Sequence, residues 1–283
     1  MLRGELRKFL HLPSLWVLGA FVMLATLWIC HAAVITVKAG VWPKALLSYQ
    51  GSASDALVVF ALVFAPIVGT VLGSIVMGTE FSWRSWPILL TQGVGRRRIL
   101  GGKLLVMIVL VAGSIVLSTA TALALAGVTQ AIGPTETLVS LPQLLVQAAV
   151  ALLAAGTWGL IASAVTLLSR STAIGLIVVG GYAIAENVLE LSNAVRPMLV
   201  AWNIRSLVSI VGGTVSTLRI TKTIWPYPPL WATALLLSVL LAVCIALVLT
   251  AFPGDPGFQL RLHIGTDPLP DSGVTAHEED RRA

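Results

Sequence analysis

Charge is the scarcest commodity in this sequence. Only 11% of its 283 residues are Asp, Glu, Lys or Arg, against 57% apolar, and the mean hydropathy is +0.94. A water-soluble domain of this length needs a charged surface, so the composition excludes one and makes lipid the solvent. Cysteine and histidine are nearly as scarce, at two and four. Cys30 and Cys244 both fall inside long apolar runs, which argues against a disulfide framework and makes them small packing residues. His11, His31, His263 and His277 are scattered, with no H-E-x-x-H or paired-Cys spacing, so no metal site is expected. His31 alone lies within an apolar run and has no second histidine to hold a haem.

Nucleotide and hydrolytic motifs are missing as well. The nearest approach to a phosphate-cradling loop is Gly95 through Lys103, GRRRILGGK, where a Walker A would need glycine in place of Arg97 and Ser or Thr in place of Leu104. The chain is therefore not expected to hydrolyse ATP itself. No Gly-x-Ser-Gly turn marks an intramembrane serine protease, and no catalytic residue, bound cofactor or metal is assigned.

What the sequence does have is six runs long enough to cross a hydrocarbon core, which takes roughly 20 apolar residues per helix. They fall at about 15–37, 56–77, 104–129, 141–168, 172–186 and 230–252. The expected fold is an all-α integral membrane bundle, with residues 1–252 as one transmembrane domain. A charge at a helix centre costs roughly 2.5 to 3.5 kcal/mol, against about 0.3 to 0.6 returned by each Leu or Ile. With these boundaries no Lys, Arg, Asp or Glu lies in the middle of a span.

The basic residues report orientation. Six spans put Arg3, Arg7, Lys8, Arg84, Arg96, Arg97, Arg98, Lys103, Arg170, Arg261, Arg281 and Arg282 on one side. Lys38, Lys44, Arg196, Arg205, Arg219 and Lys222 fall on the other. The positive-inside rule then places both termini in the cytoplasm, here of a bacterial plasma membrane, and makes nucleic acid no partner. The first run exceeds the apolar core of a signal peptide and is expected to be a retained span.

Between the spans, residues 2–13 put Leu2, Leu6, Phe9, Leu10 and Pro13 on one helical face, a short interfacial helix or else a basic flank that only fixes orientation. Small residues recur four apart at Gly69 and Gly73, at Ser114, Ser118, Ala122 and Ala126, and at Ala155, Gly159 and Ser163. Such stripes let helix backbones approach closely. The outer connection 187–229 is rich in Trp, Ile and Val before a Trp-Pro-Tyr-Pro-Pro cluster, and is expected to hold a surface-lying or re-entrant helix forming an outer hairpin. Residues 253–283 turn to Pro, Gly, Asp and charge and read as a disordered cytoplasmic tail. Glu186 and Glu190 share a face at the outer end of the fifth span: either they sit at the water boundary, or they line an outer gate and pair Arg196.

The most patterned segment joins spans two and three, GTEFSWRSWPILLTQGVGRRRILGGK from Gly78 to Lys103. Glu80 leaves the membrane, Trp83, Trp86, Leu89 and Leu90 make an apolar face, and Gly93, Val94 and Gly95 turn the chain into Arg96 to Arg98. Physically this is an amphipathic helix on the cytoplasmic surface followed by phosphate-attracting anchors, or else a plain basic loop.

Here the chain resembles the membrane (permease) subunits of ATP-binding cassette type 2 exporters. In that family the loop after the second span reads Glu, a few residues, Gly-Thr, an apolar helix ending in Leu-Leu, a short turn, Arg and Lys. Glu80, Leu89-Leu90, the turn to Arg96 and Lys103 match in order; Arg84-Ser85 stands where Gly-Thr is usual, and Pro87 is foreign to the pattern. The resemblance spans residues 2–252 and implies a half-channel that pairs with a second membrane subunit and with cytosolic ATPase subunits carrying the ATP and magnesium. Glu80, Trp83, Arg84, Trp86, Leu89, Leu90, Gly93 and Arg96 would contact those ATPases. It also implies export, of an apolar or amphipathic substrate. Two other classes stay open: a membrane-embedded lipid-modifying enzyme using Glu186, Asn187 and Glu190, and an ion-coupled secondary transporter, for which mid-span carboxylates would be expected.

Overall fold

The computed structural model describes residues 7–38, 49–82, 96–130, 140–190, 192, 195–211 and 229–250. Met1–Leu249 form one compact unit, and Thr250–Ala283 a second of which only the end of the last helix is described. Among the described residues the regular structure is entirely helical. α1 is Pro13–Lys38; α2 runs Tyr49–Val59, passes through a π turn at Phe60–Phe64 and continues as Ala65–Ser82; α3 is Arg96–Gln130; α4 is Leu141–Ser169; α5 is Thr172–Leu189; α6 is Val200–Val211; and α7 is Leu230–Thr250. Among the described residues six stretches are long and apolar enough to cross a membrane, and α6 is a shorter apolar helix.

Local chemistry sets several of the boundaries. Proline stands at the first position of α1 and the second of α4, where its missing N–H would have no helical partner anyway. The α4–α5 connection is only Arg170 and Ser171: Arg170 takes a left-handed φ of 55° to close α4, and the Ser171 hydroxyl accepts from the Ile174 N–H to open α5.

α2 is the axis of the packing. Its longest contact is with α4, and it also meets α3 and α5. Gly69 and Gly73 make the α4 contact possible. A Cβ on Gly69 would stand 2.8 Å from Trp158 Cβ and 2.9 Å from the Gly159 nitrogen, and one on Gly73 would stand 2.9 Å from Gly159 Cα. Two of the small-residue stripes thus face each other, and the Ser163 hydroxyl donates to the Gly73 carbonyl at 3.3 Å across the seam. α1 packs on α3, where Thr26 and Ser118 share a hydrogen bond of 3.0 Å at an otherwise apolar contact. α1, α5 and α7 turn broad apolar faces outward, among them Trp28, Ile177 and Trp231, as suits lipid.

Two helices differ from the sequence expectation in a way that matters. α2 runs from seven residues before 56 to five beyond 77, and α3 begins eight residues before 104, which brings Asp55, Glu80 and Lys103 inside helices. All three are buried. The helices therefore carry buried charge that the expected span limits left outside, although none of these three lies in the middle of a span. Their cost is contained because each lies toward a helix end and, for Glu80 and Lys103, because opposite charges meet.

Candidate functional site

One end of the bundle is basic, and there the first described residues fold back. Residues 7–10 are helical, the chain turns at 11–12, and α1 begins at Pro13. Phe9 is thereby pressed into the core, 1% exposed. Its neighbour Lys8 reaches the last turn of α2, with Nζ 2.5 Å from Glu80 Oε1. Lys103, in the third turn of α3, donates to the same oxygen at 3.0 Å and to the Val76 carbonyl at 3.2 Å, while its ammonium lies 5.7 Å from the Phe9 ring centre. Glu80 and Lys103 are each 1% exposed.

Three separate chain segments therefore meet on one carboxylate. Desolvating the Glu80–Lys103 pair is expensive and is offset only because the bonds are direct and well aligned. Of the helix expected at residues 2–13, residues 2–6 lie outside the described residues, and residues 7–10 are helical and dock on the bundle through Lys8 and Phe9.

The knot also ties together the two helix ends that flank the patterned loop. α2 ends at Ser82 and α3 begins at Arg96. Of the expected ATPase-contact residues, Glu80 points into the knot and Arg96 opens α3, while Trp83, Arg84, Trp86, Leu89, Leu90 and Gly93 lie outside the described residues.

At the opposite end Glu186, Glu190 and Arg196 form a second cluster with α6. Glu186 is fully buried within the protein. Its two oxygens accept the backbone N–H groups of Val200 at 2.8 Å and Ala201 at 2.7 Å. A carboxylate at the positive end of a helix satisfies donors that have no partner within the helix, so Glu186 nails the start of α6 to α5. Glu190 pairs with Arg205 one α6 turn further on. Burial pushes the Glu190 carboxyl above its usual range, against the pull of Arg205.

Arg196, the partner expected for these acids, instead gives its Nε–H to the Glu190 backbone carbonyl at 2.7 Å and stacks 5.0 Å from the Trp202 ring centre. Asn203 donates to the carbonyls of Pro197 and Leu199, and Gln143 of α4 reaches the Val211 carbonyl at 3.3 Å. The short helix is thus held at both ends. Replacing Glu186 with Ala orphans the two α6 amides, and we expect a cost of about 1.5 to 3 kcal/mol. Hydrogen exchange at Val200 and Ala201 checks this: it should accelerate there while the α2–α4 seam stays protected.

Sequence reasoning singled out Glu80, Lys103, Glu186 and Glu190 but not Lys8 or Trp202 as members of these sites. The Lys8–Glu80 contact joins residues 72 apart in sequence, and only helix packing reveals it. No groups of three or more His, Cys, Asp or Glu side chains able to hold a metal occur among the described residues.

Compared with known proteins, residues 1–186 match a family model described as an ABC-2 family transporter protein, so the match runs from the knot to Glu186. Comparison with proteins of curated function finds no match.

Proposed function

The chain belongs to the ABC-2 transporter family, and from that premise we propose that it is the permease subunit of an ATP-driven exporter, powered by separate cytosolic ATP-binding cassette subunits and paired with a second membrane subunit, a copy of itself or a related chain. It is a multi-pass membrane protein and a transmembrane transporter subunit. ATP and magnesium belong on the partner ATPase, in keeping with the failed Walker A at Gly95 to Lys103.

The observation that carries this reading is the Lys8–Glu80–Lys103 knot. In the proposed cycle the segment from Trp83 to Gly93 rests on the ATPases, with both termini and this basic end in the cytoplasm. ATP-driven closure of the ATPases displaces the segment. Because its two flanking helices are pinned on one carboxylate, the displacement moves α2 and α3 rather than spreading into a slack loop. The glycine seam passes the motion from α2 to α4, since backbones in direct contact cannot absorb it by side-chain rearrangement. At the far end the α5–α6 clasp of Glu186 and Glu190 serves as the outer gate, and an apolar or amphipathic substrate passes through the bundle.

The purified chain alone should show no ATPase activity, and gentle detergent extraction from its native membrane should recover it with an ATP-binding cassette protein. Extraction that recovers the intact chain repeatedly without such a partner contradicts the proposal.

A further inference from the structure

Among the described residues five ionisable side chains are buried: Asp55, Glu80, Lys103, Glu186 and Arg196. Four of them have strong partners. Glu80 and Lys103 hold each other, Glu186 takes two backbone amides, and Arg196 has the Glu190 carbonyl and the Trp202 ring. Asp55 is 7% exposed, and among the described residues no hydrogen bond or ion pair reaches its carboxylate. It lies six residues into α2, about 9 Å along the helix from its start. This stretch of α2 packs on α3 and α4, and Cys30 of α1 lies within electrostatic reach.

The adjacent Ser54 hydroxyl is buried without a partner, and on α4, which this stretch of α2 packs against, both polar atoms of the Gln147 amide are likewise unpartnered. Five residues beyond Asp55 the helix passes into the π turn Phe60–Phe64, a local winding defect that often accompanies function. Phe60 and Phe64, buried with ring centres 6.0 Å apart, supply an apolar aromatic surface just past the acid, and Phe21 of α1 joins it at 6.3 Å from Phe64.

A lone carboxylate in a lipid-embedded bundle is costly, and every other buried charged group among the described residues has a hydrogen-bond or charge partner. We propose that Asp55 is the counter-ion for a cationic group on the transported molecule, so that the substrate is a cationic amphiphile: an ammonium or guanidinium group pairs with Asp55 and the apolar remainder lies against the phenylalanines. The inference rests on the transporter reading and narrows its substrate class. In the conformation described the site is closed, and the π turn is where α2 can rewind to admit the ligand. A cation gains the unspent charge pairing on entering, whereas a neutral analogue of equal apolar size gains none of it.

The test uses the full chain in lipid nanodiscs, with dodecylamine, cationic at neutral pH, and dodecanol as its neutral counterpart; empty discs give the background. Saturable binding of the amine above background is expected, with none for the alcohol. Asp55→Asn should weaken amine binding about thirtyfold or more, the lower range for deleting one partner of a buried charge pair. Asp55→Glu should restore most of it. Asp55→Asn should also fold at least as stably as the parent, since it removes an unpaired buried charge. Equal amine binding by parent and Asp55→Asn, equal binding of amine and alcohol, or failure of both Asp55→Asn and Asp55→Ser to fold each overturns the proposal, the last by making Asp55 structural. A chain that recovers its ATPase partner yet shows no amine preference loses only the substrate class. One that prefers the amine but never recovers an ATPase loses only the motor.

Discussion

Gly73→Ala should unfold the bundle or nearly so, while Gly156→Ala, the same substitution on the helix that α2 packs against, should leave it as stable or slightly more so. A methyl on Gly73 has nowhere to go: Gly159 Cα would stand 2.9 Å away, and what it meets is backbone, not the tip of a side chain. α2 and α4 would have to separate, breaking the Ser163 to Gly73 bond and opening the longest contact in the structure. Overpacking costs about 1 to 3 kcal/mol where side chains can yield, and more is expected where they cannot. Nothing lies within 4 Å of a Cβ on Gly156, so there the change should contribute only the gain of about 0.5 to 1 kcal/mol that alanine has over glycine in a helix. Thermal unfolding in a single detergent compares the pair. Opposite signs are expected; equal shifts would mean that the seam is not close-packed.

The second large effect is at the basic end. Glu80→Ala removes the carboxylate that pairs Lys103, a fully enclosed ammonium that also donates to the Val76 carbonyl and lies by the Phe9 ring. Removing one member of a buried pair costs about 3 to 5 kcal/mol, because the other charge stays behind without compensation. Lys103→Met should be milder, since Glu80 keeps Lys8 and a methionine fills the same channel. Lys8→Met should be milder still, because the Lys8 side chain is 22% exposed and can be replaced by water, a setting in which ion pairs contribute about 0 to 1 kcal/mol. The order Glu80→Ala, Lys103→Met, Lys8→Met in unfolding temperature is the expected result. A Glu80→Ala chain no less stable than Lys8→Met would show that the knot does not form.

Much of this architecture was legible from the residues. The six apolar runs became α1 to α5 and α7, with the fourth expected at 141–168 and found at Leu141–Ser169, because long apolar runs have one solution in lipid. The stripes at Gly69 and Gly73 and at Ala155, Gly159 and Ser163 signalled close approach, although not that they face each other. The connection after the fifth span holds a helix, α6, whose buried Val200, Ile204 and Val208 recur four apart, the helical period.

What escaped was where polar sequence stays helical. Tyr49 to Asp55 carries Gln, Gly, two Ser and Asp and reads as a loop, yet Ser54 and Asp55 are buried, since small polar residues fit a tight interface that hydropathy cannot recognise. Arg96 to Arg98 reads as an anchor outside the membrane, yet arginine is a good helix former and the run simply extends α3. The role of Lys103 followed from that extension: two turns further into a helix, a terminal anchor became the buried partner of Glu80. Pairings of this kind depend on the rotation of each helix about its axis, which no single stretch of sequence encodes.

The central claim, that the basic end of this permease receives force from a separate ATPase, is tested most directly by photo-crosslinking in the membrane. A photoreactive residue in place of Leu90 should capture the ATP-binding cassette subunit, and one in place of Ile210, half exposed on α6 at the opposite end, should not. Capture from Ile210, or from neither position in membranes that contain the ATPase, would contradict the account.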